Sequence, residues 1–165
     1  MKNLIINFTP TGMIPTKKIN PNVPISPSEI IEQVHEASEI GITLVHIHTR
    51  TKNGNPNYKA STYQKIFNGI KKYCPELVIC ASLSGRTFKD FKKRSEVIEL
   101  QPDMGSLTLG SVNSPKVAIM NSPQLIHKLA LNMQQYGVKP ELEAFDSGMI
   151  NYGKYLIKKK ILPKV

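Results

Sequence analysis

The stretch VHIHTR, residues 45–50, places His46 and His48 one residue apart at the end of an apolar run. On a strand, side chains two apart project from one face, so the two imidazoles converge while Val45 and Ile47 face the other way. Such a pair suits a divalent ion of borderline softness, zinc above all, with a carboxylate and water completing the shell. The structural alternative has one histidine closing a pocket while the other bonds a loop carbonyl. Further polar groups follow other apolar runs: Ser82, Ser84 and Gly85 after ELVICA, Ser106 and Thr108 in MGSLTL, Glu141 and Glu143 in KPELEAF. Hydroxyls and neighbouring amides can bind a carboxylate or carbonyl oxygen, or simply satisfy loop backbone. A carboxylate turned toward a sheet centre needs a cation or donors. Glu143 is read as lining the pocket and Glu141 as part of a structural ion pair. Arg50 either anchors an acid group or pins the TKNGNPN loop. His35 and His127 fall within helical patterns and are read as ordinary surface or core residues.

Short β-rich runs alternating with longer helical patterns must position these groups. LIINF (4–8) reads as a first strand, and Ser26, Pro27 and Glu29 form a helix start with a capping box before Ile30, Ile31, Val34 and Ala37 recur at helical spacing. Gly41 ends that helix. A strand at 42–48, a helix at 62–73 and a strand at 76–82 follow. The pattern continues with a helix over FKDFKKRSEVIEL, a strand near 104–109, a helix stopped by Gly137, a strand at 139–145 and a helix at 149–160. Five β/α units in a row predict an α/β fold of parallel strands, either doubly wound or from a (β/α)8 barrel. In both, function gathers at the carboxyl ends of the strands, and each of the five exits is polar, the first through Thr9, Thr11 and Gly12.

The 165 residues, 40% of them hydrophobic, predict one domain with a real core. No apolar run approaches a membrane span or a secretory signal, and the expectation is a cytoplasmic protein. Cys74 and Cys80 lack CxxC spacing, and Cys80 reads as a buried reduced thiol. Lys and Arg total 22 against 12 acidic residues, a formal charge of +10. That balance suits an anionic partner such as nucleic acid, phosphate or a coenzyme A ester. The lysines are scattered without interleaved aromatics, so a solvated basic surface is preferred to a nucleic-acid face. GxGxxG, Walker A and GxSxG motifs are absent, which leaves nucleotide-binding and serine-hydrolase assignments without support.

Taken in order, TPTG (9–12), NPNVPISPSEI (20–30), VHIHTR (45–50), SLSGR (82–86), RSEVIELQPDMGSLTLGSVN (94–113) and VKPELEAFDSGMI (138–150) resemble the β-keto acid cleavage enzymes, typified by 3-keto-5-aminohexanoate cleavage enzyme. The resemblance implies a zinc-dependent (β/α)8 barrel that reacts a β-keto acid with acetyl-CoA to give acetoacetate and a new acyl-CoA. His46 and His48 match the family's zinc ligands, and Ser82, Ser106 and Glu143 match pocket positions. Ser84, Gly85 and Thr108 are expected to join them in substrate binding. Lewis-acid stabilisation of enolate charge is the metal's natural task. Two departures shape the expectation. Ile14 stands where members acting on amino-bearing keto acids carry an acidic residue, so a neutral or apolar substrate side chain is expected. The family chain also continues well past residue 165. The expectation is therefore a partial barrel over 1–165, about five units of eight. It would lack the carboxylate ligand and the downstream acid-base residues, so no catalytic residue is assigned within the chain. Such a chain would be inactive unless two copies assemble or a complementing carboxyl-terminal polypeptide joins it. A basic nonenzymatic nucleic-acid binder and a functionless remnant are the competing readings.

Overall fold

The structure, a computed structural model, describes residues 4–164. The chain divides into two compact units, Met1–Ser82 and Leu83–Val165.

The first unit runs β1 (Asn7–Phe8), α1 (Pro27–Glu39), β2 (Leu44–Ile47), β3 (Thr49–Arg50), β4 (Pro56–Asn57), α2 (Ala60–Tyr73) and β5 (Val78–Ala81). Strands β1, β2 and β5 pair in parallel, in that order, as the β/α alternation predicts. The capping box forms at the expected place: Ser26 Oγ accepts from Glu29 N at 3.3 Å, and Glu29 Oε2 accepts from Ser26 N at 2.8 Å. Two otherwise orphaned amides are thereby satisfied. Helix α1 buries Ile30, Val34 and Ala37, and α2 buries Tyr63, Ile66, Phe67 and Ile70. The helices pack so closely that a Cβ on Gly69 would stand 2.2 Å from Ile31 Cδ1.

One expectation is corrected here and one is sharpened. The first strand is confined to Asn7–Phe8, and Leu4 and Ile5 are each 75% exposed. Bonding to the next strand reaches back to Ile6, whose carbonyl accepts from Thr43 N and Leu44 N at 3.0 and 3.2 Å, and the paired register begins at Asn7 opposite Leu44. The turn-rich segment after His48 is a β-hairpin, with β3 antiparallel to β4 and Gly54 at φ 77°.

The second unit runs α3 (Phe91–Ser95), a 3-10 turn (Glu96–Leu100), β6 (Met104–Thr108), β7 (Val112–Asn113), β8 (Ala118–Ile119), α4 (Pro123–Tyr136), β9 (Lys139–Glu143) and α5 (Ser147–Lys158). Strands β6 and β9 pair in parallel, and α4 packs against both. Ser122 caps α4, Gly137 closes it in the left-handed region, and Asp146 caps α5. The helix predicted over 88–100 is shorter: Asp90 accepts from Lys93 N at 3.0 Å and starts α3 at Phe91, and the following turn is 3-10, ended by Gln101 at φ 53°. A second hairpin, β7 with β8, had no clear sequence signal. Ile98, Leu107, Ile126, Leu129, Met133 and Leu156 are fully buried in this unit. No helix among the described residues is long and apolar enough to cross a membrane.

Candidate functional site

In the first unit, the chemistry gathers where β2 ends. His46 is 8% exposed on β2, and His48 follows the strand. The ring centroids lie 5.1 Å apart with planes inclined at 36°, the side-by-side placement expected of residues two apart on a strand. Cys80 on β5 is the register partner of His46, a fully buried free thiol. A ring nitrogen of His46 and Cys80 Sγ lie within 4.8 Å of each other. His46 and Cys80 offer the nitrogen and sulfur donors that a borderline ion such as zinc prefers, and the His48 ring lies beside that of His46, so the donor types fit the metal. Sequence reading set Cys80 aside as core. The signal for it was present, since it shares a face with His46 once the parallel register is known.

Beside this pair the loops are fixed by buried polar contacts. Tyr63 donates its hydroxyl to Ser82 O at 3.2 Å, and burial pushes its phenol well above the ordinary tyrosine range. Ser82 N donates to Ile47 O at 3.0 Å, which places Ser82 just past the end of β5. Thr11 Oγ1 donates to Pro24 O at 2.7 Å. Arg50, 4% exposed, donates through Nε to Gly12 O at 2.9 Å, through Nη1 to Gly54 O at 2.6 Å and through Nη2 to Pro15 O at 3.1 Å. Of its two readings the structural one holds: Arg50 ties the loop after β1 to the β3–β4 hairpin. Ile14, in the tied loop, is 62% exposed.

In the second unit, Ser106 is the register partner of Glu141, and Thr108 of Glu143, so two hydroxyls and two carboxylates share one face of the β6–β9 pair. Thr108 Oγ1 donates to Glu143 Oε2. Ser106, 3% exposed, accepts from Leu83 N at 3.0 Å, so part of its role is to hold the loop that carries Ser84 and Gly85. Ser84 Oγ accepts from Arg86 N at 3.3 Å. His35 and His127 are exposed on α1 and α4, outside either group.

Arg94 was missed. It is 3% exposed, its Nε donates to Leu83 O at 2.7 Å, and its Nη1 is buried without a hydrogen-bond partner. Burial lowers its pKa to about 10, opposed by the charge of Glu143. Gly85 lies close beside it: a Cβ there would stand 2.8 Å from Nη1, so the guanidinium would have to shift. In the sequence FKKRS the arginine looks like one more solvated cation. Its helical phase was the available clue, since Arg94 and Ser95 lie on the face continued by buried Ile98.

Comparison with known proteins gives this arrangement a family. The beta-keto acid cleavage enzyme model matches residues 3–165. The chain is 40% identical over 146 residues to a 3-oxoadipate:acetyl-CoA acetyltransferase of Cupriavidus necator, covering 88% of this chain and 51% of the relative. It is 33% identical over 160 residues to the 3-keto-5-aminohexanoate cleavage enzyme of Acetoanaerobium sticklandii, covering 96% and 59%. The chain thus spans between half and three-fifths of the length of these relatives. Among solved structures, ObcA in ternary complex with a C4-CoA adduct and oxalate superposes with a TM-score of 0.76 at 21% identity, over 86% of this chain and 35% of that one, a likeness of fold. The strands and helices are therefore β/α units of the TIM-barrel type, and the chain belongs to the beta-keto acid cleavage enzymes.

Proposed function

We propose that this chain binds a β-keto acid at a zinc ion held by His46 and His48, for carbon-carbon cleavage with acetyl-CoA that yields acetoacetate and a new acyl-CoA. The observation that carries the reading is the placement of two adjacent imidazoles at the carboxyl end of a parallel strand, in a chain matched by the family over its described length. Bound there, zinc would supply Lewis-acid polarisation of the keto acid's oxygens. Cys80 stands close enough to His46 to tune or join the donor set.

The second unit carries a polar group of its own on the β6–β9 pair. Glu143 is held by the Thr108 hydroxyl and, as a carboxylate, can accept further hydrogen bonds. The Ser106 hydroxyl accepts from Leu83 N and keeps its own proton to donate. Ser82, Ser84 and Gly85 offer hydroxyls and amides to carboxylate oxygens. The exposed apolar Ile14 offers no charge to an ammonium group, so the substrate side chain is neutral or apolar rather than amino-bearing.

The test is metal analysis of the purified chain with calorimetric titration of a β-keto acid before and after zinc removal. Acetoacetate formation from acetyl-CoA is then followed with and without a polypeptide carrying the remainder of the relatives' length. About one zinc per chain and zinc-dependent keto-acid binding are expected. Keto-acid binding that survives both zinc removal and His46→Ala would overturn the reading. A preference for 3-keto-5-aminohexanoate over a keto acid with an alkyl chain would overturn the assignment to Ile14.

A further inference from the structure

We infer that Arg94 is a positioning residue for carboxylate binding at the Leu83–Gly85 loop: its buried guanidinium fixes the loop and supplies the positive charge that draws an acid group there. The inference rests on the reading above, in which this loop receives the keto acid's carboxylate. Arg94 lies on α3 and is 3% exposed. Its Nε donates to Leu83 O at 2.7 Å, while Leu83 N donates to Ser106 Oγ at 3.0 Å. Helix α3 and strand β6 thus grip the loop at one residue, through both of its backbone groups. Nη1 reaches on to Gly85, where a Cβ would stand 2.8 Å from it and 3.4 Å from Met120 O. The guanidinium therefore packs against the Gly85 backbone, the part of the loop that the reading gives to the acid group.

Holding the loop does not by itself call for a charge. A neutral donor would satisfy Leu83 O, and burying a cation costs far more than burying an amide. Among the described residues of the second unit Arg94 is nevertheless the one buried Lys or Arg, and its Nη1 is buried with no hydrogen-bond partner. Burial lowers its pKa only to about 10, so the guanidinium stays charged at neutral pH. The charge of Glu143 reaches it, and that carboxylate already accepts from Thr108 Oγ1. Without Arg94, an acid arriving at the loop would meet the repulsion of Glu143 with no buried cation to offset it. With Arg94 in place, a ligand carboxylate at Gly85 brings negative charge to a buried guanidinium whose bonding is incomplete.

The experiment titrates the full zinc-loaded chain with 3-oxohexanoate and with its methyl ester, which keeps the chain and the ketone but not the charge. Wild type is compared with Arg94→Gln, which keeps a donor for Leu83 O, and with Arg94→Lys, which keeps the charge. Roughly tenfold weaker binding of the acid is expected in Arg94→Gln, the scale of one interaction with a charged group, with ester affinity within about twofold of wild type. Arg94→Lys should retain the preference for acid over ester. Zinc content should match wild type in both, and urea unfolding should stay cooperative. Equal losses for acid and ester would reduce Arg94 to a brace of the loop and overturn the inference. Unchanged acid affinity in Arg94→Gln would overturn it too, and either result leaves the keto-acid reading intact. If Arg94→Gln does not fold, Arg94→Lys decides: an Arg94→Lys chain that binds the acid no better than the ester overturns the inference. Wild type that binds no keto acid brings down the keto-acid reading, and this inference with it.

Discussion

The two units use the same parallel β/α scaffold to present opposite chemistry. In the first, register pairs His46 with Cys80, so the strand face offers nitrogen and sulfur donors. In the second, register pairs Ser106 with Glu141 and Thr108 with Glu143, so the equivalent face offers hydroxyls and carboxylates. Their buried arginines differ as well. Arg50 donates to three backbone carbonyls, whereas Arg94 donates to one and leaves Nη1 buried without a partner. The comparison teaches that the backbone decides where side chains converge, and the residue type at each register position decides what they can do there.

The largest expected effect would come from the imidazoles. His46→Ala/His48→Ala should lower zinc affinity by roughly hundredfold or more, because even groups that only support metal ligands change affinity by about 10–100-fold. Thr108→Val should leave zinc content unchanged and weaken keto-acid binding. If Thr108→Val costs as much zinc as the histidine variant, the division between the units fails. Metal analysis after gel filtration reads both.

Next in size is Arg94→Ala, which leaves a cavity and strips Leu83 O of a buried donor; about 3 kcal/mol of stability should be lost in urea unfolding. Gly85→Ala should cost about 1–3 kcal/mol through collision with Nη1. Because both act through one contact, the double variant should cost clearly less than the sum, a coupling absent if the two residues are independent.

Smaller still is the cap of α1. Ser26→Ala should cost about 1 kcal/mol. Glu29 adds a pH dependence of known sign, since its folded pKa of about 2 lies below its unfolded value near 4.5. Its contribution is fully present above that unfolded value and fades as pH falls toward 2. Glu29 is largely solvated, so a few tenths of a kcal/mol is the scale expected. Glu29→Gln should flatten the acid limb of the stability curve, and an unchanged limb would remove Glu29 from the account.

Much of the scaffold was legible because its signals are local. Ser26, Pro27 and Glu29 specify a helix start within four residues, and Gly137 ends α4, since caps and turns depend on neighbours in sequence. The alternation of VHIH likewise set the two imidazoles side by side. The shortened first strand and the late start of α3 were harder to read. One depends on where a partner strand begins 37 residues later, the other on which of several polar residues captures an amide.

What the sequence determined by itself was the order of β/α units, the capped helices and the direction shared by His46 and His48, all consequences of strand and helix periods. Only the tertiary structure decided that Cys80 stands beside His46, that Thr108 meets Glu143, that Arg50 braces two loops and that Arg94 is buried against Gly85. Apart from the Arg50–Gly54 bond, those contacts join residues 9 to 38 positions apart. Periodicity says which way a side chain points, but strand register and helix packing choose what it meets.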